Sequence, residues 1–209
     1  MSAFAVDHLV IRAPGPEALA EQISRATGLP VLRGWTPEGV VKSRGVRFAN
    51  GPFLDIFEAE DARPCHLGLR GETAATERLI EAHGWQARHP EEGGRFPWRL
   101  TTFRRGQGVL SAVFQIDYDR SAAAWLAQEF SGELYQPAKG VGAHLERIWI
   151  VAPESGDIGP MLPTGDIEVT IDAGPAAEVV RFEVSGASTE GELHLTPRLL
   201  MSVKAFTSR

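Results

Sequence analysis

Residues 7–14 run Asp7-His8-Leu9-Val10-Ile11-Arg12-Ala13-Pro14, and residues 65–70 run Cys65-His66-Leu67-Gly68-Leu69-Arg70. The shared pattern is His-Leu-x-(Ile/Leu)-Arg, beginning at His8 and again at His66. A third stretch, Glu146-Arg147-Ile148-Trp149-Ile150-Val151-Ala152-Pro153, repeats the apolar alternation and the closing Ala-Pro of the first, with Arg147 in the place of His8. Alternation with period two marks a half-buried strand, and a repeat of this kind constrains the fold more than any single motif.

Each of the first two copies is followed by the same succession of signals. Pro16–Thr27 carries Leu19, Ile23 and Ala26 at helical spacing; Pro16 suits a first helical turn and Gly28 a left-handed cap. Glu72–His83 carries Leu79, Ile80 and Ala82 and stops at Gly84. Three predicted strands follow each helix: Val31–Trp35, Val40–Phe48 and Phe53–Glu58 in the first case, and Trp85–Arg88, Trp98–Phe103 and Val109–Tyr118 in the second. Asn50-Gly51 and Arg105-Gly106-Gln107-Gly108 supply the turns before the last strands.

Residues 1–62 and 63–120 therefore each read β-α-β-β-β. A predicted helix over Ser121–Phe130 leads through a loop past Pro137 and Gly140 into strands at Leu145–Val151, Ile167–Ile171, Val179–Val184, Glu192–Leu195 and Leu200–Phe206. This last part, residues 121–209, is expected to be a degenerate, strand-rich third module. The fold class is α+β, built from tandem βαβββ modules.

The composition narrows the classes of function. With 209 residues, 43% hydrophobic and 23% charged, the chain has the make-up of a folded soluble protein. Its net charge is -6, with no stripe of Lys or Arg to displace counterions from phosphates, so nucleic acid is not an expected partner. No apolar run approaches the ~20 residues that cross a bilayer. Met1-Ser2-Ala3-Phe4 lacks the basic start of a signal peptide, which makes the cytoplasm the expected compartment. The single cysteine, Cys65, excludes an intrachain disulfide and is expected to be a small packed side chain.

Strand alternation assigns faces. Leu9 and Ile11, like Leu67 and Leu69, suit the side on which the helix packs, leaving His8, Val10 and Arg12, and His66, on the concave side. In Phe53–Glu58 the inward set is Phe53, Asp55 and Phe57; in the last strand of the second module it is expected to be Val113, Gln115 and Asp117. Paired modules would then bring His8, Asp55, His66 and Gln115 together among Val10, Phe53, Phe57 and Val113. An apolar cup with a few converging polar groups is the form of a small-molecule site.

In these modules, and in the motifs Asp7-His8-Leu9-Val10-Ile11, Cys65-His66-Leu67-Gly68-Leu69 and Phe53-Leu54-Asp55-Ile56-Phe57-Glu58, the chain resembles the vicinal oxygen chelate superfamily of glyoxalases, extradiol dioxygenases and bleomycin-resistance proteins. The resemblance implies a divalent metal (Zn, Fe, Mn or Ni) held by His8, Asp55, His66 and Gln115, polarising a carbonyl- or diol-bearing substrate in a lyase, isomerase or dioxygenase reaction. Asp55 stands where the family more often has the longer Glu, and Gln115 where a second acid is common. Gln cannot act as a base, which leaves Asp117 as the expected one, with Glu58 a rival on the opposite face. The alternative implied by the same resemblance is a metal-free, drug-sequestering binding protein, of a kind that pairs two chains, so a homodimer is an expectation. A decayed regulatory module would bind nothing.

The remaining polar candidates have plainer expectations. His83 and His89 flank the end of the second helix, His144 and His194 have no evident partner, and Arg147 is expected to pair with an acid or hold an anionic group. Trp35, Trp98 and Trp149 are candidates for pocket walls as well as for core.

Overall fold

A computed structural model describes residues 3–35, 40–90, 98–119, 134, 142–154 and 158–205. The helix expected over 121–130, the loop past Pro137 and Gly140, and Phe206 lie outside the described residues.

The first module comprises β1 (Ala5–Ala13), α1 (Pro16–Thr27), β2 (Leu32–Trp35), β3 (Val41–Arg47) and β4 (Phe53–Glu58). Pro16 opens α1, Gly28 closes it at φ 74°, and the Gly28 N–H bonds the Ser24 carbonyl at 2.8 Å. Leu19, Ala20, Ile23 and Thr27 form the buried face of α1. The second module repeats the order with β5 (His66–Arg70), α2 (Thr73–His83), β6 (Ala87–Arg88), β7 (Trp98–Phe103) and β8 (Val113–Tyr118). Gly84 ends α2 in the same left-handed conformation, φ 66°.

Two differences from the expected strands matter. Trp85 is not in β6; it stacks on His83 with centroids 4.9 Å apart and meets the edge of Phe103 at 5.9 Å. Residues Val109–Ala112, expected to begin the last strand, instead belong to a 3-10 turn over Gly108–Ala112, so β8 starts at Val113.

The two modules join edge to edge. β1 pairs antiparallel with β5, giving an eight-stranded sheet in the order β2-β3-β4-β1-β5-β8-β7-β6. Leu9, Ile11, Leu54, Ile56, Leu67 and Leu69 are fully or almost fully buried on one face.

The rest of the chain forms a separate five-stranded sheet from β9 (His144–Ala152), β10 (Glu168–Ala173), β11 (Glu178–Ala187), β12 (Gly191–Thr196) and β13 (Leu199–Ala205). Its order is β10-β9-β11-β13-β12. The pairings repeat those at the centre of the first sheet. β9 and β10 are parallel, as β1 and β4 are; β9 and β11 are antiparallel, as β1 and β5 are; β11 and β13 are parallel, as β5 and β8 are. The register agrees too: Arg147–Ala152 runs beside Glu168–Ala173 as His8–Ala13 runs beside Phe53–Glu58. Residues 144–205 thus carry the pairing pattern of two reduced modules, where the sequence suggested a single degenerate one.

One contiguous core takes in both sheets, with Phe48 and Phe182 meeting edge to face across it. The Asn50 side chain acts like a strand partner for β9, donating to the Leu145 carbonyl at 2.7 Å and accepting from its N–H at 3.1 Å. Cys65 forms a backbone bridge to Val179 of β11. Its thiol is buried, and burial, with Glu178 nearby, raises its pKa far above the ordinary range, so it is inert packing. Among the described residues no helix is long and apolar enough to cross a membrane.

Candidate active site in the concave face

The face of the first sheet opposite the Leu9/Ile11 side is hollow and forms a cavity of about 450 Å³. Register puts the side chains there in order. His8 lies beside Phe53, Val10 beside Asp55, and Arg12 beside Phe57; across the module boundary His8 faces Gly68 and Val10 faces His66. Trp98, Leu100 and Thr102 enter from β7 and Phe114, Ile116 and Tyr118 from β8. Val10, Phe53, Phe57 and Val113 are all in the lining.

His8 is held on several sides within the cavity. Its ring stacks on Phe53 at 4.6 Å and 12°, and Phe114 meets it edge-on at 5.1 Å. Arg47 covers the Phe53 ring at 4.6 Å. The β1–β5 register shifts between Val6 and His8, at Asp7. A bulge of this kind re-aims a side chain next to a site, and here the Asp7 carboxylate reaches His8 Nδ1 at 2.7 Å. The Tyr118 hydroxyl donates to the same Asp7 oxygen at 2.7 Å.

Burial alone would raise the Asp7 pKa, but the hydrogen bonds from His8 and Tyr118 and the charges of His8 and Arg70 outweigh it and hold it below the usual value. An ionised carboxylate can only accept, so Nδ1 carries a proton. In neutral His8 that leaves Nε2 with its lone pair.

Of the four residues for which a metal role was expected, three share the cavity and the fourth does not. Asp55 is buried on the cavity side of β4, and His8 and His66 line the same cavity. Gln115 is on the other face of β8: it pairs in register with Leu69, and its side-chain amide donates to the Gly71 carbonyl. Among the described residues no three His, Cys, Asp or Glu side chains could jointly hold a metal ion. His8 already gives Nδ1 to Asp7. The residues present do not fit the four-donor centre that the resemblance implies.

Asp117 also faces away from the cavity. Its carboxylate accepts hydrogen bonds from the backbone N–H of Thr73 at 2.8 Å and from the Thr73 hydroxyl at 2.9 Å. It therefore satisfies the start of α2, where the N-cap residue Glu72 makes no side-chain cap. Glu58 does the corresponding work in the first module, accepting from the N–H of Gly15 at the start of α1 at 3.3 Å.

The cause of both corrections is a one-residue change of phase. Alternation counted through Val109–Tyr118 as a continuous strand puts Val113, Gln115 and Asp117 inward. The 3-10 turn at Gly108–Ala112 does not alternate, and β8 enters with Phe114, Ile116 and Tyr118 inward. A slip of one residue exchanges the faces of an entire strand. Phe114, paired with Gly68, thus occupies in the second module the position Asp55 holds in the first, paired with Val10.

Sequence reading missed Asp7 and Tyr118, because neither lies on the inward phase of its strand as first counted. Trp98 lines the cavity; Trp149 lies in the second sheet between Arg147 and Arg181, at 5.4 and 4.9 Å from their guanidinium carbons. The side chain of Trp35 lies outside the described residues. Arg147 makes an ion pair with Glu168, its neighbour in register.

No protein-family model and no curated protein matches the chain. Solved structures do. A hypothetical protein from Staphylococcus aureus matches over 97% of this chain and 100% of its own, with TM-score 0.64 and 9% identity. Homoprotocatechuate 2,3-dioxygenase from Arthrobacter globiformis matches over 86% of this chain and 62% of its own, with TM-score 0.50 and 11% identity. Methylmalonyl-CoA epimerase from Streptomyces coelicolor matches over 55% of this chain and 94% of its own, with TM-score 0.41 and 15% identity. At these identities the likeness is one of fold alone, and it extends along most of this chain for the first two.

Proposed function

We propose that this fold serves here to bind a small aromatic molecule in the concave cavity of the first sheet, with no resident metal. The observation that carries the reading is the exchange of Asp55's counterpart for Phe114. Where a metal centre would need a second inward donor, the cavity has a ring packed against His8. Phe53, Phe57, Trp98, Phe103 and Tyr118 complete a largely apolar wall. A cavity of this size and lining favours a flat aromatic ligand through burial and ring contacts. His8 Nε2 supplies a polar anchor for a ligand hydroxyl.

The test is calorimetry on protein purified without a polyhistidine tag, using 2-naphthol, together with elemental analysis. Saturable binding that weakens at least about tenfold in Phe114→Ala, with no stoichiometric metal, supports the reading. Stoichiometric Zn, Fe, Mn or Ni that a His8→Ala/His66→Ala double variant loses would overturn it in favour of a metal-dependent glyoxalase- or dioxygenase-like enzyme.

The Asp7–His8 pair favours a second reading, in which the bound molecule undergoes proton transfer at His8. A base held in one tautomer by a carboxylate is suited to taking a proton from a carbon next to a carbonyl. Deuterium uptake into aryl ketones in heavy water, abolished by His8→Gln, is the expected sign. Equal uptake with the variant rules this second reading out.

A further inference from the structure

A second cavity, about 710 Å³, opens beside the first and shares Arg12, His66, Arg105 and Ser111 with it. Its walls come from both sheets, since Pro153, Glu154 and Ala177 close one side. The turn before β8 approaches that side closely: a Cβ on Gly108 would lie 2.6 Å from the Glu154 carbonyl oxygen. The two cavities thus make one continuous depression, apolar at its floor and cationic at its mouth.

The charges at the mouth come from three separate segments. Arg12 is near the end of β1, Arg63 is in the link from β4 to β5, and Arg105 is in the turn after β7. All three are exposed, and among the described residues none has a carboxylate within ion-pair distance. Other arginines of the fold do find acids: Arg44 pairs with Glu17, Arg147 with Glu168, and Arg198 with Glu178. Arg12 is further fixed over the Phe57 ring, 5.7 Å from its centroid. His66 feels the concentrated charge, since burial and then Arg12, with Arg105 adding, hold its imidazole below the ordinary range.

We propose that this arginine mouth binds a dianionic, phosphate-monoester-class group, so that the ligand is an aromatic molecule carrying a phosphate at one end. Three guanidinium groups against the one acid of the mouth, Glu154, leave a surplus of two positive charges. That surplus matches a phosphate monoester, and the guanidinium fork suits its oxygens. The inference rests on the reading of the concave cavity as an aromatic binding site and extends it outward to the rim.

The experiment is calorimetry on the full chain with 2-naphthol, 2-naphthoate and 2-naphthyl phosphate. The phosphate ester should bind at least about tenfold more tightly than the naphthol, by the affinity expected of charge-assisted bonds. Arg63→Gln and Arg105→Gln should each remove most of that preference, while Arg33→Gln, a charge change elsewhere on the first sheet, should leave it intact. Inorganic phosphate should compete with the ester and not with the naphthol. Equal affinity for naphthol and ester, or an ester preference untouched by Arg63→Gln and Arg105→Gln, overturns the mouth while the aromatic cavity stands. Naphthoate bound as tightly as the ester overturns the assignment to a dianion. Binding of none of the three overturns the aromatic cavity and the mouth with it.

Discussion

Gly68 lies directly across the β1–β5 ladder from His8, and a Cβ added to it would sit 3.0 Å from both Cε1 and Nδ1 of the imidazole. The same atom would come within 2.8 Å of Phe114 Cζ. The missing side chain is therefore the space in which the His8 ring lies between Phe53 and Phe114. Gly68→Ala should displace both rings, at a stability cost of about 1–3 kcal/mol by the usual penalty for overpacking. Chemical denaturation measures the cost. Loss of 2-naphthol binding at temperatures where the variant remains folded would separate a cavity effect from simple unfolding.

Asp117 and Glu58 should behave as helix caps. Asp117→Ala removes the acceptor for the Thr73 N–H and hydroxyl, and should cost about 1 kcal/mol, the ordinary loss for such a contact. Ligand affinity should stay unchanged, because the side chain is on the far side of the sheet. A large loss of affinity with little loss of stability would instead return Asp117 to the site.

The Asp7 carboxyl titrates below its ordinary value in the folded protein. A group with a depressed folded pKa contributes stability above its unfolded pKa, ~3.9 for Asp, and loses it as pH falls through the folded value. Stability should therefore drop on acidification below about pH 4, and Asp7→Asn should flatten that slope. Denaturation midpoints measured from neutral pH downward, wild type against variant, give the comparison. The Tyr118→Phe variant, which removes one donor to the same oxygen, should lie between them.

His66 gives a signature of the same sign at higher pH. Its folded pKa is lowered, so the unfolded chain takes up its proton first, and stability falls as pH drops below the unfolded imidazole value of ~6.5. Arg12, Arg63 and Arg105 face it at the mouth, with Glu154 the acid among them. An anion bound there offsets the arginine charge, so the His66 pKa should rise on addition of naphthyl phosphate. Titration of the imidazole proton resonances by NMR, with and without the ester, measures the shift. No shift on saturation would place the phosphate elsewhere.

Asn50 holds the two sheets in register through both groups of Leu145. Asn50→Ala leaves a backbone N–H and carbonyl without those bonds and should cost about 1–3 kcal/mol. Asn50→Asp keeps the acceptor and loses the donor, so it should fall between the two in thermal denaturation.

Much of this architecture follows from local chemistry. The period-two stretches at His8–Arg12 and His66–Arg70, the helical spacing of Leu19 and Ile23, the proline at position 16 and the glycines at 28 and 84 specify strand, helix and cap through sterics that act within a few residues. Their repetition was enough to identify paired βαβββ modules and to place His8, Asp55 and His66 on one concave face. Tertiary structure decided the rest. Face parity cannot be counted through a 3-10 turn, so only the pairing of β8 with β5 and β7 put Phe114 inward and Gln115 and Asp117 behind the sheet. The bulge that turns Asp7 toward His8 exists only in the β1–β5 ladder. The gathering of Arg12, Arg63 and Arg105 at one rim depends on segments distant in sequence and on a wall supplied by the second sheet. Local propensity carries no information about such contacts, because each forms only when separate strands have found their partners.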